Sequence, residues 1–124
     1  MSAPFKVAVA QIASLPDDSL ATAEKAAATL REAAGQGARL VVFPEALIGG
    51  YPKGASFGAP IGMRKPEGRE AFARYHANAI DLDGPEVAVI AEATAETGAF
   101  AVIGVIERDG GTVYVPAGGT HHGL

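Results

Sequence analysis

Two short apolar runs constrain this chain more than any other feature. Lys6 to Ile12 (KVAVAQI) and Arg39 to Phe43 (RLVVF) are rich in β-branched residues and nearly continuous in apolar character. Strands buried on both faces of a sheet have this composition. Between them, Leu15-Pro16-Asp17-Asp18-Ser19 turns the chain, with Asp17 or Asp18 as an N-cap. Leu20 to Gln36 has helical period: Leu20, Ala23, Ala27, Leu30 and Ala34 form one apolar stripe, with Glu24, Lys25, Arg31 and Glu32 mostly off it. Gly35 and Gly37 end that helix. Strand, helix and strand make a βαβ unit, which predicts a parallel sheet with a right-handed crossover.

The remainder extends this pattern. Pro44 to Pro66 is dense in Gly and Pro and has no period, so it reads as a long loop of the kind that carries function. Pro66 opens a helix over Glu67 to Ala79, with Phe72, Tyr75 and Ala79 on one face. After a break at Asp81-Leu82-Asp83-Gly84, Pro85 opens another helix to Thr97, with Val87, Ile90, Ala91 and Thr94 on its face and Gly98 as its stop. Ala99 to Glu107 (AFAVIGVIE) reads as a third strand, and Asp109-Gly110-Gly111 as a hairpin turn that pairs Thr112 to Val115 antiparallel with it. The order β-α-β-α-α-β-β gives an α/β fold. One domain segment covers residues 1–114. Residues 115–124 diverge: Pro116 interrupts a strand that has just begun, and the tail is expected to be disordered.

Composition excludes several functions. Ten basic against fourteen acidic residues give a net charge of -4, which argues against nucleic acid or an anionic membrane as partner. No apolar run approaches eighteen residues and the first residues do not resemble a signal peptide, so a cytoplasmic location is expected. The chain has no cysteine, which removes disulfides, thiolate zinc sites and cysteine nucleophiles together. His76 with His121 and His122 does not make a metal site, because adjacent strand residues face opposite sides and no further ligand completes a known spacing. Neither phosphate-loop pattern occurs, so nucleotide binding is not expected. Ser14, Ser19 and Ser56 have no histidine at a recognisable spacing, so a serine nucleophile is unsupported. Ala and Gly fill about a third of the chain, so the core should be thin, since each small side chain buries little area at about 25 cal/mol per Å².

The sharpest local feature is Leu40-Val41-Val42-Phe43-Pro44-Glu45-Ala46. It places a carboxylate directly after the C-terminal end of a buried strand, the edge where ligands bind in open α/β sheets. An apolar surround there would ready Glu45 for proton transfer; otherwise it is a surface residue of an ordinary loop.

The wider string Phe43-Pro44-Glu45-Ala46-Leu47-Ile48-Gly49-Gly50-Tyr51-Pro52-Lys53-Gly54 closely resembles the first catalytic segment of nitrilases, in the carbon–nitrogen hydrolase superfamily. Val7 to Gln11, Phe57 to Gly62, Gly84-Pro85-Glu86 and Phe100 to Arg108 resemble further family segments in the right order, so the match covers about Lys6 to Tyr114. The resemblance implies a four-layer αββα sandwich, of which this chain forms part. It implies a Glu-Lys-Cys triad that needs no cofactor, acts on a small-molecule nitrile and works in a homo-oligomer. Glu45 matches the family glutamate as the catalytic base, and Tyr51 matches an aromatic of the substrate loop. The family lysine and cysteine have no counterpart: of the four lysines, Lys6, Lys25, Lys53 and Lys65, none stands in the family order, and cysteine is absent. The 124-residue chain alone is therefore expected to be inactive, and its tail is read as the product of a frameshift, an early stop or a gene-model error. The alternative is a non-catalytic association protein that keeps part of the fold.

Overall fold

The computed structural model describes residues 4–50, 66–110, 112–114 and 117–120. Strand β1 (Lys6–Val9) leads through helix α1 (Ser19–Gly35) to strand β2 (Ala38–Val42). Helices α2 (Pro66–Asn78) and α3 (Pro85–Thr97) precede strand β3 (Phe100–Gly104), and the hairpin β4 (Glu107–Asp109) and β5 (Thr112–Tyr114) precedes strand β6 (Ala117–Thr120). Among the described residues the main sheet has the order β1-β2-β3-β6; β1, β2 and β3 are parallel and β6 is antiparallel to β3. The expected α/β architecture with a parallel sheet is thus present.

Local chemistry sets the helix ends. Asp18 is the N-cap of α1, its Oδ1 accepting from the Ala21 N–H at 2.9 Å, which satisfies one of the donors a helix start leaves open. Pro85 stands in the first turn of α3 and Gly98 closes it with φ at 70°, its N–H donating to the Thr94 carbonyl at 2.8 Å.

α1 and α3 pack against each other on one face of the sheet. Ala23, Ala26, Ala27 and Leu30 of α1, Ile90 and Ala93 of α3, and Val41, Ala101 and Ile103 of the sheet are all buried there. Small residues let the helices approach closely. The buried side of α1 is rotated from the expected stripe: Thr22 and Ala26 are buried, and Leu20 is exposed. Thr22 is tolerated because its hydroxyl donates to the Asp18 carbonyl at 2.8 Å and accepts from the Leu15 N–H at 3.0 Å.

The sheet's two faces differ sharply. Val7, Leu40 and Phe100 stand in register across β1, β2 and β3, as do Val9, Val42 and Val102. These two apolar rungs alternate with the rung of half-buried Ala8 and buried Val41 and Ala101, and so project from the side away from the helices. Val9 is 70% exposed, Phe100 48%, Val7 46% and Val102 38%, against 0% for Val41.

One expectation about the C-terminal part fails. The third strand does not run unbroken from Ala99 to Glu107. It ends at Gly104, after which Val105 bridges Ile48 and Glu107 bridges Ile80. The predicted hairpin forms, with Asp109 opposite Thr112 and Glu107 opposite Tyr114, but as a separate two-stranded sheet; Val115 lies outside the described residues. Ala117–Thr120 forms β6, with Gly104 opposite Ala117 and Ala101 opposite Thr120. Backbone groups on the outer edge of β3 supply that ladder, and they do not require an apolar period in the added strand.

Candidate functional site

Glu45 follows β2 in a connection held on both sides of it by backbone bonds. The Phe43 N–H donates to the Val102 carbonyl at 2.8 Å, still in the manner of the sheet. Pro44 has no N–H to place, and its carbonyl accepts from the Gly104 N–H at 3.2 Å. Ala46 turns the chain with φ at 50°, a left-handed conformation that a residue with a Cβ adopts only when its surroundings hold it. Its methyl is buried with Ala79 and Ile106, and Tyr75 and Val113 pack against that cluster. The Ile48 N–H then donates to the Gly104 carbonyl at 3.2 Å, and the Ile48 carbonyl accepts from the Ile106 N–H at 2.8 Å. Ser14 adds a third brace, its hydroxyl donating to the Leu47 carbonyl.

Ala46, Leu47 and Ile48 are buried, at 1%, 2% and 1% exposure, whereas Glu45 is exposed. A rigid apolar frame thus presents one carboxylate at the C-terminal edge of the parallel strands. The apolar surround expected for that carboxylate is not supplied by the described residues: the burial belongs to its neighbours in sequence, Ala46, Leu47 and Ile48, and not to Glu45 itself.

Among the described residues the structure does not gather other chemistry around Glu45. Lys6 donates to the Gln36 carbonyl at 2.7 Å, where the parallel strands start, and Lys25 donates to the Ala13 carbonyl at 3.0 Å. The ion pairs among the described residues join Arg31 to Glu96 between α1 and α3, and Arg108 to Asp81. His76 Nε2 lies 2.7 Å from the Gly110 carbonyl oxygen at the hairpin turn. An open pocket of about 390 Å³ is lined by Asp81, Leu82, Asp83, Glu107, Arg108 and Asp109, without Glu45. Its arginine is already engaged, reaching the carbonyls of His76 and Ala77 at the end of α2 as well as Asp81. Among the described residues no three acidic or histidine side chains are grouped to hold a metal ion. Tyr51, expected at the substrate loop, lies outside the described residues, as do Phe57 to Gly62, Lys53, Ser56, Lys65, His121 and His122. No helix among the described residues is long and apolar enough to cross a membrane.

Sequence reasoning missed the frame around Glu45. Ser14, which has no histidine partner in the sequence, is a brace, and the contribution of Ala46 depends on a left-handed turn that its residue type does not signal.

Comparisons with known proteins bear on the same segment. The family model for carbon–nitrogen hydrolases matches residues 6–117. Among similar proteins, Nitrilase blr3397 of Bradyrhizobium diazoefficiens is 68% identical over 113 residues, covering 91% of this chain and 35% of its own length. An aliphatic nitrilase of Sinorhizobium fredii is 55% identical over 113 residues, covering 91% of this chain and 37% of its own. A bifunctional nitrilase/nitrile hydratase of Nicotiana tabacum, NIT4B, is 50% identical over 109 residues, covering 88% and 31%. The chain spans about a third of the length of these relatives.

Proposed function

The chain belongs to the carbon–nitrogen hydrolase family, and on that premise we propose that it supplies one third of a nitrilase-type enzyme that converts a small organic nitrile to a carboxylic acid and ammonia. Glu45 is the general base. The observation that carries this reading is the exposed Glu45 carboxylate on a buried, hydrogen-bonded frame at the C-terminal edge of β2 and β3.

In this reaction Glu45 takes the proton of a cysteine thiol as sulfur attacks the nitrile carbon, giving a thioimidate. Water adds to the thioimidate carbon, ammonia leaves, and a thioester remains. A second water hydrolyses the thioester, releasing the acid and returning the thiol. A lysine stabilises the charged tetrahedral species. The 124 residues contain no cysteine, so the nucleophile comes from elsewhere in the complete enzyme, and the chain alone releases no ammonia from nitriles. Tyr51 belongs to the substrate loop. The two apolar rungs on the open side of the sheet support the four-layer arrangement, with a second sheet covering Val7, Val9, Phe100 and Val102. The complete enzyme is cytoplasmic and a homo-oligomer.

The test places residues 6–114 in the Bradyrhizobium relative, in exchange for the segment they match. The chimera is expected to release ammonia from aliphatic or aryl nitriles, and Glu45→Gln to lower its kcat by about 10²–10⁴-fold. Retained turnover in the Glu45→Gln chimera sinks the assignment. The same open face favours a second reading, a non-catalytic association protein. Ammonia release by the 124-residue chain itself would contradict that reading and the expected inactivity together.

A further inference from the structure

We propose that Gly104 is a positioning residue for Glu45: its missing side chain is the seat on which the Glu45–Ala46 peptide rests. This inference rests on the reading of Glu45 as the general base.

A Cβ built on Gly104 would lie 2.6 Å from the Glu45 carbonyl carbon, and closer still to the Glu45 Cα and the Ala46 nitrogen. All three are backbone atoms, so no side chain can swing aside to make room. Gly104 is not required by its own backbone conformation. It closes a regular strand and is absent from the glycines with positive φ, which are Gly37, Gly49, Gly50, Gly98 and Gly110 among the described residues. A glycine ending a run of β-branched and aromatic residues, with ordinary strand geometry, marks close approach by another backbone.

The same residue holds the loop from both sides. Its N–H donates to the Pro44 carbonyl and its carbonyl accepts from the Ile48 N–H, both at 3.2 Å. The carboxylate-bearing residue sits between those two anchor points. The loop therefore cannot rise from a larger residue at 104 without losing the bonds that define it. Ser14 on the Leu47 carbonyl and Ile106 on the Ile48 carbonyl block a sideways shift. Any Cβ at 104 displaces the Glu45 Cα itself, and an error of about 1 Å in a reacting group costs about 10²-fold in rate.

The 6–114 chimera described above reads this directly. Gly104→Ala is expected to lower kcat about 10²-fold with KM unchanged within about threefold. Ile103→Ala, which removes a buried side chain from the same strand without filling the seat, is expected to lower thermal stability and keep kcat within about threefold. Retained kcat in Gly104→Ala, or an equal loss in Ile103→Ala, overturns the proposal. Should Gly104→Ala fail to fold, amide hydrogen exchange on the unsubstituted 124-residue chain still decides. The Gly104, Ile48 and Ile106 amides are expected to exchange as slowly as those of β2, and exchange at the rate of an open loop overturns the proposal. The Glu45→Gln arm separates the two claims: full activity there removes the catalytic reading itself, whereas an inactive Glu45→Gln beside an active Gly104→Ala removes only the positioning role.

Discussion

At the scale of single residues, the loop after Glu45 contains a matched pair of glycines that separates backbone strain from crowding. Gly49 and Gly50 both have positive φ, at 108° and 86°. A Cβ on Gly49 would lie 2.6 Å from the Ile106 Cβ, whereas among the described residues a Cβ on Gly50 meets nothing within 4 Å. Gly50→Ala should therefore cost only the conformational penalty, about 1–2 kcal/mol. Gly49→Ala adds an overpacking term of about 1–3 kcal/mol against a fully buried neighbour. Urea denaturation of the two variants checks this, and equal midpoints would mean that the Gly49–Ile106 contact is absent in solution. The position of Glu45 at a strand end was legible from the apolar run before it and the Gly-rich run after it. Its support was not, because a carbonyl accepting from Gly104 and a hydroxyl reaching Leu47 join residues about 60 and 33 positions apart, and such contacts leave no local pattern.

At the scale of elements, sequence period located each helix but misjudged the orientation of one. The bounds of α3 follow from Pro85 and Gly98, since a ring that fixes φ and a residue that accepts the left-handed conformation act locally. The buried side of α1 depends instead on where α3 lies. With α1 packed on α3, Ala26 and Thr22 are buried and Leu20 is 40% exposed. Leu30→Ala is expected to cost about 2–5 kcal/mol and Leu20→Ala under about 1 kcal/mol, although the apolar stripe treats the two alike. The N-cap offers an independent measure: Asp18→Ala removes the acceptor for the Ala21 N–H and should cost about 1 kcal/mol. Thermal melts followed by circular dichroism rank the three, and a Leu20→Ala variant as damaged as Leu30→Ala would restore the stripe as first drawn. The division of the third strand was hidden for a similar reason. Phe100 to Glu107 is continuous in composition, and only the arrival of Ile48 and Ile80 beside it changes its partners at Val105 and Glu107.

At the scale of the whole molecule, the open side of the sheet makes opposite demands in two contexts. In the 124-residue chain, Val9 and Val102 occupy one rung and project away from the helices, at 70% and 38% exposure. Apolar surface of this kind drives association. If a second sheet covers it in the complete enzyme, the same side chains are core residues there. Replacing both by Thr keeps β-branched residues suited to a strand and changes only the polarity of the face. In the isolated chain, Val9→Thr with Val102→Thr should reduce self-association on size-exclusion chromatography, weaken binding of an apolar dye, and leave the melting transition within about 1 kcal/mol. In the 6–114 chimera the same pair should destabilise by about 1–3 kcal/mol for each hydroxyl buried without a partner. The prediction is therefore a loss of stability in the chimera and none in the isolated chain, a difference that a general effect of Thr on strand stability cannot produce. Destabilisation of comparable size in both would show that the second sheet does not lie on that face, and would leave the four-layer arrangement without its main support in this chain.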